Sequence, residues 1–187
     1  MDSLDDILLE TMDKMEKSLH VLQDQFAGLR TGKASPHLVE NVPVPYYGAM
    51  TRLRELANIA VPEPRLLVIN PYDKSIREAI VKAILQANLG LTPMDDGRVI
   101  RVPVPELSEE RRKEMIKVMK RMAEEARVAV RNVRRDMNEA VRKLQKEGGC
   151  TEDERDKALA DIQKQTDQAI EKIDQMAAAK EAELLQV

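Results

Sequence analysis

A row of basic side chains between residues 113 and 142 has the residue types and spacing for anion binding. Its members, hereafter the basic row, are Lys113, Lys117, Lys120, Arg127, Arg131, Arg134 and Arg142. On an α-helix this spacing keeps them within roughly 100° of arc, and we expect that arc to lie opposite the helix's apolar stripe. Residues 127–135 hold four arginines and no acid, with Arg135 beside the row. Because guanidinium groups pair with phosphate and stack on unpaired bases, the row predicts contact with phosphate or RNA.

Two other interpretations of the basic row stay open. A solvated helix face also carries many charges, usually as ion pairs three or four residues apart. An acidic surface on a partner protein would be attracted to the same side chains. The sequence has no aromatic pair, glycine clamp or zinc knuckle for reading bases, so any RNA target would be recognised by its shape and backbone charge.

The sequence offers little from which to build an enzyme. His20 and His37 have no cysteine or carboxylate at metal-ligand spacing, so we expect surface histidines and no metal site. Cys150 precedes Thr151, where a helix is expected to begin, and is interpreted as a packing residue at the end of a helical bundle. We therefore predict no catalytic residue, no metal and no cofactor.

One segment, residues 28–34, resembles a nucleotide-binding loop in composition but not in spacing. It reads Gly-Leu-Arg-Thr-Gly-Lys-Ala. A phosphate-binding loop has four residues between its glycines, Ser or Thr after its lysine, and a strand before it. Here three residues separate Gly28 and Gly32, Ala34 follows Lys33, and a helical pattern precedes the loop. A nucleotidase using Lys33 is the weakest of the alternatives.

Composition indicates a helix-rich protein with an uneven charge distribution. The 187 residues are 43% hydrophobic and 34% charged but only 2% aromatic, which is typical of long amphipathic helices. The net charge is −3. Residues 105–147 nevertheless carry 13 basic and 9 acidic side chains, a local net charge of +4. This asymmetry favours one anion-binding surface over general nucleic-acid binding.

Three features favour the cytoplasm. The single cysteine excludes an internal disulfide, and no apolar run is long enough for a membrane-spanning helix. The first six residues are acidic where a signal peptide would be basic. We expect no contact with a membrane.

Apolar spacing predicts three long helices, over residues 4–29, 108–147 and from 151 onward. The apolar stripe expected on the first comprises Leu8, Met12, Met15, Leu19, Leu22, Phe26 and Leu29. On the second it comprises Met115, Val118, Met122, Ala126, Ala129, Val133, Met137, Ala140 and Leu144. On the third it comprises Leu159, Ile162, Ala169, Ile173 and Met176. Three such helices bury their stripes together as a three-helix bundle, with no need of a second chain, so we expect a monomer.

Residues 31–104 break the helical pattern and contain eight of the nine prolines. Residues 65–69 and 98–102 are predicted strands, residues 73–88 are a predicted helix, and residues 38–44 offer further strand material. The sequence thus predicts a two-domain α+β protein. Its discontinuous bundle comprises residues 1–30 and 105–187, and residues 31–104 form an inserted β-α-β domain.

Two short crossings join the predicted domains, Arg30-Thr31-Gly32 and Pro103-Val104-Pro105. A pair of adjacent crossings permits swinging but restricts separation, so we expect an L-shaped molecule with a hinge at these six residues.

Several motifs resemble those of the bacterial ribosome recycling factor family. At the first crossing the sequence reads Phe-Ala-Gly-Leu-Arg-Thr-Gly-Lys-Ala-Ser-Pro over residues 26–36. The other matching segments are residues 44–48, 89–91, 100–103, 109–113 and 126–136, the last reading Ala-Arg-Val-Ala-Val-Arg-Asn-Val-Arg-Arg-Asp. The resemblance covers essentially the whole chain in order. Residues 148–150, Gly-Gly-Cys, depart from the family, which usually has an apolar residue before the third helix.

The resemblance implies a factor that acts after translation termination. Family members bind the ribosome through large-subunit ribosomal RNA. Elongation factor G then pushes on the smaller domain, using its own GTP, and the subunits separate with release of messenger and transfer RNA. Carried over by position, Arg131 and Arg134 would be the central RNA contacts, supported by Arg30, Arg112, Arg127 and Arg135. The alternative is a helical interaction protein that binds an acidic protein partner.

Overall fold

The computed structural model describes residues 3–186 and divides into two compact units. One unit comprises Met1–Ala27 and Ile116–Val187, and the other comprises Gly28–Met115. The elements in chain order are α1 (Leu4–Ala27), β1 (Pro43–Tyr46), β2 (Ala49–Arg52), α2 (Leu53–Leu56), β3 (Ala57–Glu63), β4 (Leu66–Pro71), α3 (Arg77–Gln86), β5 (Met94–Asp95), β6 (Ile100–Pro103), α4 (Glu109–Lys146) and α5 (Glu152–Leu185). Single 3₁₀ turns lie at Pro36–Leu38 and Lys74–Ile76.

The first unit is a bundle of three long helices, as the apolar spacing predicts. The first turns of α1 and α5 lie side by side, with Leu4 and Ala158 lining one groove, so these two helices run in the same direction. α4 runs opposite to both. Ile7 near the start of α1 packs with Val141 near the end of α4, and Leu22 lies beside Ala126. The predicted helix bounds agree with α1, α4 and α5 to within two residues.

The buried face of α1 differs from the predicted stripe at its first turns. Met12 is 49% exposed, whereas Ile7 and Thr11 are buried. Thr11 can be buried because its hydroxyl donates to the Ile7 carbonyl at 2.7 Å, which satisfies the polar group. Thr166 on α5 is buried in the same way, donating to the Ile162 carbonyl at 2.7 Å. Apolar residues at three consecutive positions, Ile7 to Leu9, left the periodicity ambiguous there.

The buried face of α4 is also rotated from the predicted stripe. Its fully buried residues are Met119, Ala123, Ala126, Val130, Met137 and Val141. Predicted positions such as Val118, Met122 and Ala129 are only half-buried. A helix that packs against two neighbours buries a wider arc than one coiled-coil seam, and the predicted stripe forms one flank of that arc. The centre of the buried face therefore lies roughly 60° from the predicted one, at 100° per residue.

The turn between α4 and α5 ends one helix and caps the next. Gly148 has a positive φ of 80°, and the Gly148 and Gly149 amides donate back to Gln145 and Leu144 carbonyls. The Thr151 hydroxyl accepts from the Glu154 amide at 3.3 Å, and the Glu154 carboxylate accepts from the Thr151 amide at 2.8 Å. This reciprocal capping box confirms the predicted start of the third helix.

The second unit is a small α+β domain with two antiparallel sheets. β1 and β2 form a hairpin closed by Tyr47 and Gly48, both at positive φ, and β3, β4, β6 and β5 form a four-stranded sheet in that order. α3 covers a core in which Ile80 and Ile84 pack with Leu67, Ile69 and Ile100. The predicted strands 65–69 and 98–102 and the helix 73–88 are confirmed as β4, β6 and α3 with its preceding 3₁₀ turn. The sequence did not predict β2, α2, β3 or β5.

All six predicted hinge residues lie within the second unit. The Val104 amide donates to the Arg65 carbonyl at 2.8 Å, and Val104 itself is buried. Gly32 has a φ of 82° and approaches Leu107. The compact units divide after Ala27 and after Met115, whereas the sequence places the divisions after residues 30 and 104. Hinge motion stays a prediction.

Between Ser3 and Gln186, no helix is both long enough and apolar enough to cross a bilayer.

Replacing Leu22 by Ala should destabilise the bundle far more than replacing Leu9 by Ala. Leu22 is 0% exposed and Leu9 is 56% exposed on the same helix. We expect a loss of about 2–5 kcal/mol in the free energy of unfolding for Leu22→Ala, from lost burial and the residual cavity. Leu9→Ala should change it by less than about 0.5 kcal/mol. Urea unfolding followed by circular dichroism measures both, and equal losses would contradict this packing.

Replacing Glu154 by Gln should remove a pH-dependent part of the bundle's stability. Hydrogen bonds from the backbone amide and hydroxyl of Thr151 lower the pKa of Glu154 below its ordinary 4.5. The ionised carboxylate therefore favours the folded state above that value, and the contribution is lost as the pH falls through the lowered pKa. We expect the melting temperature of wild type to exceed that of Glu154→Gln at pH 7. At pH 2 the two melting temperatures should be equal. Glu152→Gln, which removes a first-turn charge outside the capping box, should show a smaller pH-dependent difference. A pH-independent gap would contradict the assignment.

Candidate nucleic-acid interface

The basic row lies on the flank of α4, not opposite its buried face. Measured from the centre of the buried residues, the row is displaced by roughly 100°, at 100° per residue. The predicted opposite placement is wrong because the buried face itself is rotated toward the row. One edge of the row therefore faces α5, and the other edge faces solvent.

Three members of the row, seven residues apart, reach toward α5. The Lys120 ammonium lies 2.8 Å from a Glu181 carboxylate oxygen. Arg127 donates from Nε to Asp174 Oδ1 at 2.9 Å, and its Nη2 lies 2.8 Å from the same oxygen. Arg134 donates from Nη1 to the Gln163 side-chain carbonyl at 3.3 Å. These three contacts link α4 to α5 over residues 120–134 of α4.

The outer edge of the row is more open. Arg131 is exposed and donates to Glu124 Oε1 at 3.0 Å from one nitrogen. Arg135 is exposed, and its Nε lies 3.4 Å from the neighbouring Asp136 carboxylate. Lys117 and Arg142 are exposed, and neither forms an ion pair with another residue in the range 3–186. This edge presents positive charge to solvent.

Glu124, the acid within the row, is shared between two arginines. Its Oε1 accepts from Arg131 and its Oε2 accepts from Arg127, at 3.0 and 3.1 Å. Hydrogen bonds from Arg131 and then Arg127 lower the pKa of Glu124, so it is ionised at neutral pH. For Arg127, partial burial disfavours the charge, but the bonds to Asp174 and Glu124 outweigh it and raise its pKa.

The structure brings together four of the six predicted RNA-binding arginines: Arg127, Arg131, Arg134 and Arg135. The other two, Arg30 and Arg112, belong to the second unit. Arg30 is half-buried and donates from Nη1 to the Leu89 carbonyl at 2.9 Å. A Cβ at Gly90 would stand 3.0 Å from this nitrogen, so the glycine leaves room for the arginine. Arg112 is half-buried in the first turn of α4, and its guanidinium has no partner among the described residues.

The histidines and the cysteine lie where the sequence predicts. His20 is exposed, and the exposed His37 has Nδ1 2.8 Å from a Glu40 carboxylate oxygen. Cys150 is half-buried in the groove lined by Leu4, Leu8 and Ala158. Over residues 3–186, no cluster of three or more His, Cys, Asp or Glu side chains could hold a metal ion.

The loop of residues 28–34 uses its backbone amides within the domain. The Lys33 amide donates to the Thr31 hydroxyl at 3.4 Å, and the Ala34 amide donates to the Pro64 carbonyl at 2.7 Å. A phosphate-binding loop needs such amides free to surround phosphate. The preceding element is α1, a helix, as the sequence pattern predicts.

Sequence reasoning missed the contribution of α5 to this surface. Asp174, Glu181 and Gln163 contact the row from 29 to 61 positions further along the chain. The signal available was the heptad spacing of Lys120, Arg127 and Arg134, which is typical of residues that flank a helix–helix seam.

Comparison with known proteins identifies relatives along nearly the whole chain. The family model described as ribosome recycling factor matches residues 22–185. The ribosome-recycling factor of Bacillus subtilis (strain 168) is 52% identical over 182 residues, covering 97% of this chain and 98% of the relative. That of Heliobacterium modesticaldum is 51% identical over 184 residues, covering 98% of this chain and all of the relative.

Two solved structures are similar in fold as well as in sequence. The solution structure of a ribosome recycling factor superposes with a TM-score of 0.80 at 42% identity, covering 100% of both chains. The second describes models for the T. thermophilus ribosome recycling factor and the E. coli elongation factor G bound to the E. coli post-termination complex. It superposes with a TM-score of 0.69 at 44% identity, covering 98% of this chain and 100% of that one.

The helical bundle, the α+β domain and the arginine-bearing α4 thus occur together in a chain that matches these relatives end to end. Its two-domain α+β fold is the fold of the solved relatives. The chain belongs to the ribosome recycling factor family, whose members are translation factors and not enzymes.

Proposed function

We propose that this protein recycles ribosomes after translation termination. It binds the post-termination ribosome through large-subunit ribosomal RNA, as a single chain in the cytoplasm. Together with elongation factor G, which hydrolyses the GTP, it promotes separation of the subunits and release of messenger and transfer RNA.

The observation that carries this proposal is the group of arginines on one flank of α4, namely Arg127, Arg131, Arg134 and Arg135. Four arginines, including the exposed Arg131 and Arg135, lie within roughly 100° on one flank of α4, a geometry that suits a line of phosphates. The apolar arc of the same helix fixes the direction of that flank. A charged edge on a rigid rod suits docking into a preformed RNA cleft better than reading a base sequence.

Within this proposal, Arg131 and Arg134 are the central RNA contacts. Arg131 has two guanidinium nitrogens without a protein partner in the described structure, and Arg134 gives one nitrogen to a neutral amide. Supporting roles fall to Arg127 and Arg135 on the same flank, and to Arg30 and Arg112 in the second unit.

The mechanical part of the proposal assigns the force to elongation factor G. A structural relative is described as bound to the post-termination complex together with that factor. We propose that the second unit receives the push and that the crossings at residues 30–32 and 103–105 let it move. The three-helix unit meanwhile keeps hold of the RNA.

Replacing Arg134 by Ala should weaken binding to ribosomes and reduce its salt dependence. Loss of one phosphate or base contact is expected to cost about 1–3 kcal/mol of binding free energy. The slope of log binding constant against log salt should fall by about 1. Filter binding to vacant 70S ribosomes at several salt concentrations measures both quantities.

The matched control for that variant is Arg121→Ala. Arg121 is an exposed arginine on α4 that lies off the basic row and faces Glu125. Its loss should leave the affinity and the salt slope nearly unchanged. If Arg121→Ala and Arg134→Ala weaken binding equally, the effect is one of total charge and the assigned interface is wrong.

The proposed activity itself is tested by sucrose-gradient sedimentation of post-termination ribosomes. With this protein, elongation factor G and GTP, we expect 70S particles to separate into subunits, and omission of any one of the three should leave them joined. The isolated protein should not bind GTP. Ribosomes that stay intact with all three components present would refute the recycling function.

Nuclease treatment of the target distinguishes RNA from an acidic protein as the partner of the basic row. High salt weakens both kinds of contact, so salt alone does not discriminate. Ribonuclease digestion of large subunits should abolish binding of this protein, whereas binding that survives digestion would favour an acidic protein partner.

A further inference from the structure

Four charged side chains form a continuous chain of contacts from α5 across the flank of α4. Asp174 accepts a hydrogen bond from Nε of Arg127 at 2.9 Å, and Nη2 of the same guanidinium lies 2.8 Å from the same oxygen as an ion pair. Arg127 in turn donates from Nη1 to Glu124 at 3.1 Å. Glu124 uses its other oxygen to accept from Arg131 at 3.0 Å. The signs alternate along the series, and it ends at the solvent-exposed Arg131.

Arg127 is fully engaged within the protein. Each of its three guanidinium nitrogens lies within 3.1 Å of a carboxylate oxygen, and its side chain is 23% exposed. A phosphate reaching Arg127 would have to displace Asp174 or Glu124. Arg127 therefore links α4 to α5.

Arg131 is engaged on one side only. Its Nη1 bonds to Glu124, its Nε and Nη2 have no partner within residues 3–186, and its side chain is 45% exposed. An arginine in solution samples many rotamers, and fixing one of them opposes binding. A guanidinium already held on one edge, with its other edge open, has lost part of that freedom before the ligand arrives.

The contact between Glu124 and Arg131 has two opposing effects on phosphate binding. A lone carboxylate beside an arginine would compete with phosphate for it. Here the charge of Glu124 is shared with Arg127, which is itself anchored by Asp174. Because Glu124 also bonds to Arg127, its charge competes less strongly with phosphate for Arg131. The hydrogen bond from Arg131 to Glu124 still restricts the orientation of the guanidinium.

We infer that Asp174, Arg127 and Glu124 are positioning residues that hold Arg131 oriented for a phosphate of the ribosomal RNA. This inference rests on the proposed function and assigns Arg127 a role through Arg131 in place of its own RNA contact. Arg131 is the contact, and the three side chains behind it set its direction.

The test removes the Asp174–Arg127 link without changing the net charge. The double variant Arg127→Gln with Asp174→Asn deletes one positive and one negative charge together. We expect it to bind 70S ribosomes about 3- to 10-fold more weakly than wild type, with an unchanged salt slope, because no phosphate contact is lost. In an Arg131→Ala background the same double change should have no further effect.

The matched control is the double variant Lys180→Gln with Glu183→Gln. It removes another partly buried ion pair, whose atoms are 3.1 Å apart on α5, and is likewise charge-neutral. It should leave both affinity and salt slope unchanged. Thermal melting of every variant establishes that the bundle is folded.

Three ribosome-binding results would overturn the inference. A salt slope lower by about one, persisting without Arg131, would make Arg127 a direct phosphate contact. Tighter binding by the double variant would make the carboxylates competitors. Unchanged binding by the double variant alone would contradict the positioning role while leaving the proposed function standing, since that function is tested by wild-type binding and subunit separation.

A second measurement needs no ribosome. The Nε–H group of Arg131 in the free protein reports its motion by ¹⁵N relaxation NMR. We expect its order parameter to fall in the Arg127→Gln, Asp174→Asn variant and not in the Lys180→Gln, Glu183→Gln control. An equally ordered Arg131 in all three proteins would refute the inference.

Discussion

The burial of one wide apolar arc on α4 fixes the orientation of every charged group on that helix. Because α4 packs against both α1 and α5, its buried residues occupy a broad face centred on Met119, Val130 and Met137. The basic row then falls at the edge of that face, where one side can meet α5 and the other meets water. A helix buried along a single narrow seam would have pointed the same arginines straight into solvent. The flank position makes part of the row structural and part of it available to a ligand.

Electrostatic magnitudes explain how one row can serve both purposes. Exposed ion pairs contribute roughly 0–1 kcal/mol each, so contacts such as Lys120–Glu181 add little to bundle stability. An arginine that contacts two carboxylates at once, as the partly buried Arg127 does, has more to lose than one with a single exposed partner. In the proposed RNA contact, the open edge of the row would therefore lose little by exchanging its present partners for phosphates, whereas Arg127, held by Asp174 and Glu124, would lose most.

The sequence predicted the bounds of the long helices well. It predicted poorly which face of each helix is buried. Helix ends follow from local signals, such as Thr151 with Glu154, that act over three residues and need no tertiary context. The buried face of α4 does not follow from local signals, because apolar residues occur in adjacent pairs, as at Val118–Met119 and Ala129–Val130. Either member of a pair fits the helical period, and packing against two neighbouring helices decides between them. The interhelical partner of Arg127 lies 47 positions away, beyond any local pattern.

In the second unit, too, elements with a clear local sequence pattern were predicted and those without one were missed. Continuous apolar residues predicted β4, and helical spacing of Ile76, Ile80 and Ile84 predicted α3. β3 was missed because Pro62 and exposed residues interrupt its pattern at the edge of the sheet, where a proline is tolerated. The arginines near residue 131 are predicted as RNA contacts from their residue type and spacing, whereas Arg30 is predicted only through a family motif. Its guanidinium, bonded to the Leu89 carbonyl, has no periodicity to reveal it.

Screening by salt limits the distance over which the basic row attracts RNA. At physiological ionic strength electrostatic fields decay over about 8 Å, so the row exerts little attraction on RNA that is further away. The chain as a whole carries a net charge of −3, and carboxylates such as Asp174 and Glu181 lie beside the row. Attraction therefore develops only at close range, where individual guanidinium groups meet individual phosphates. For the ribosomal RNA contact proposed above, a surface of this kind would bind weakly to arbitrary RNA and strongly to a target whose shape lets many contacts form at once.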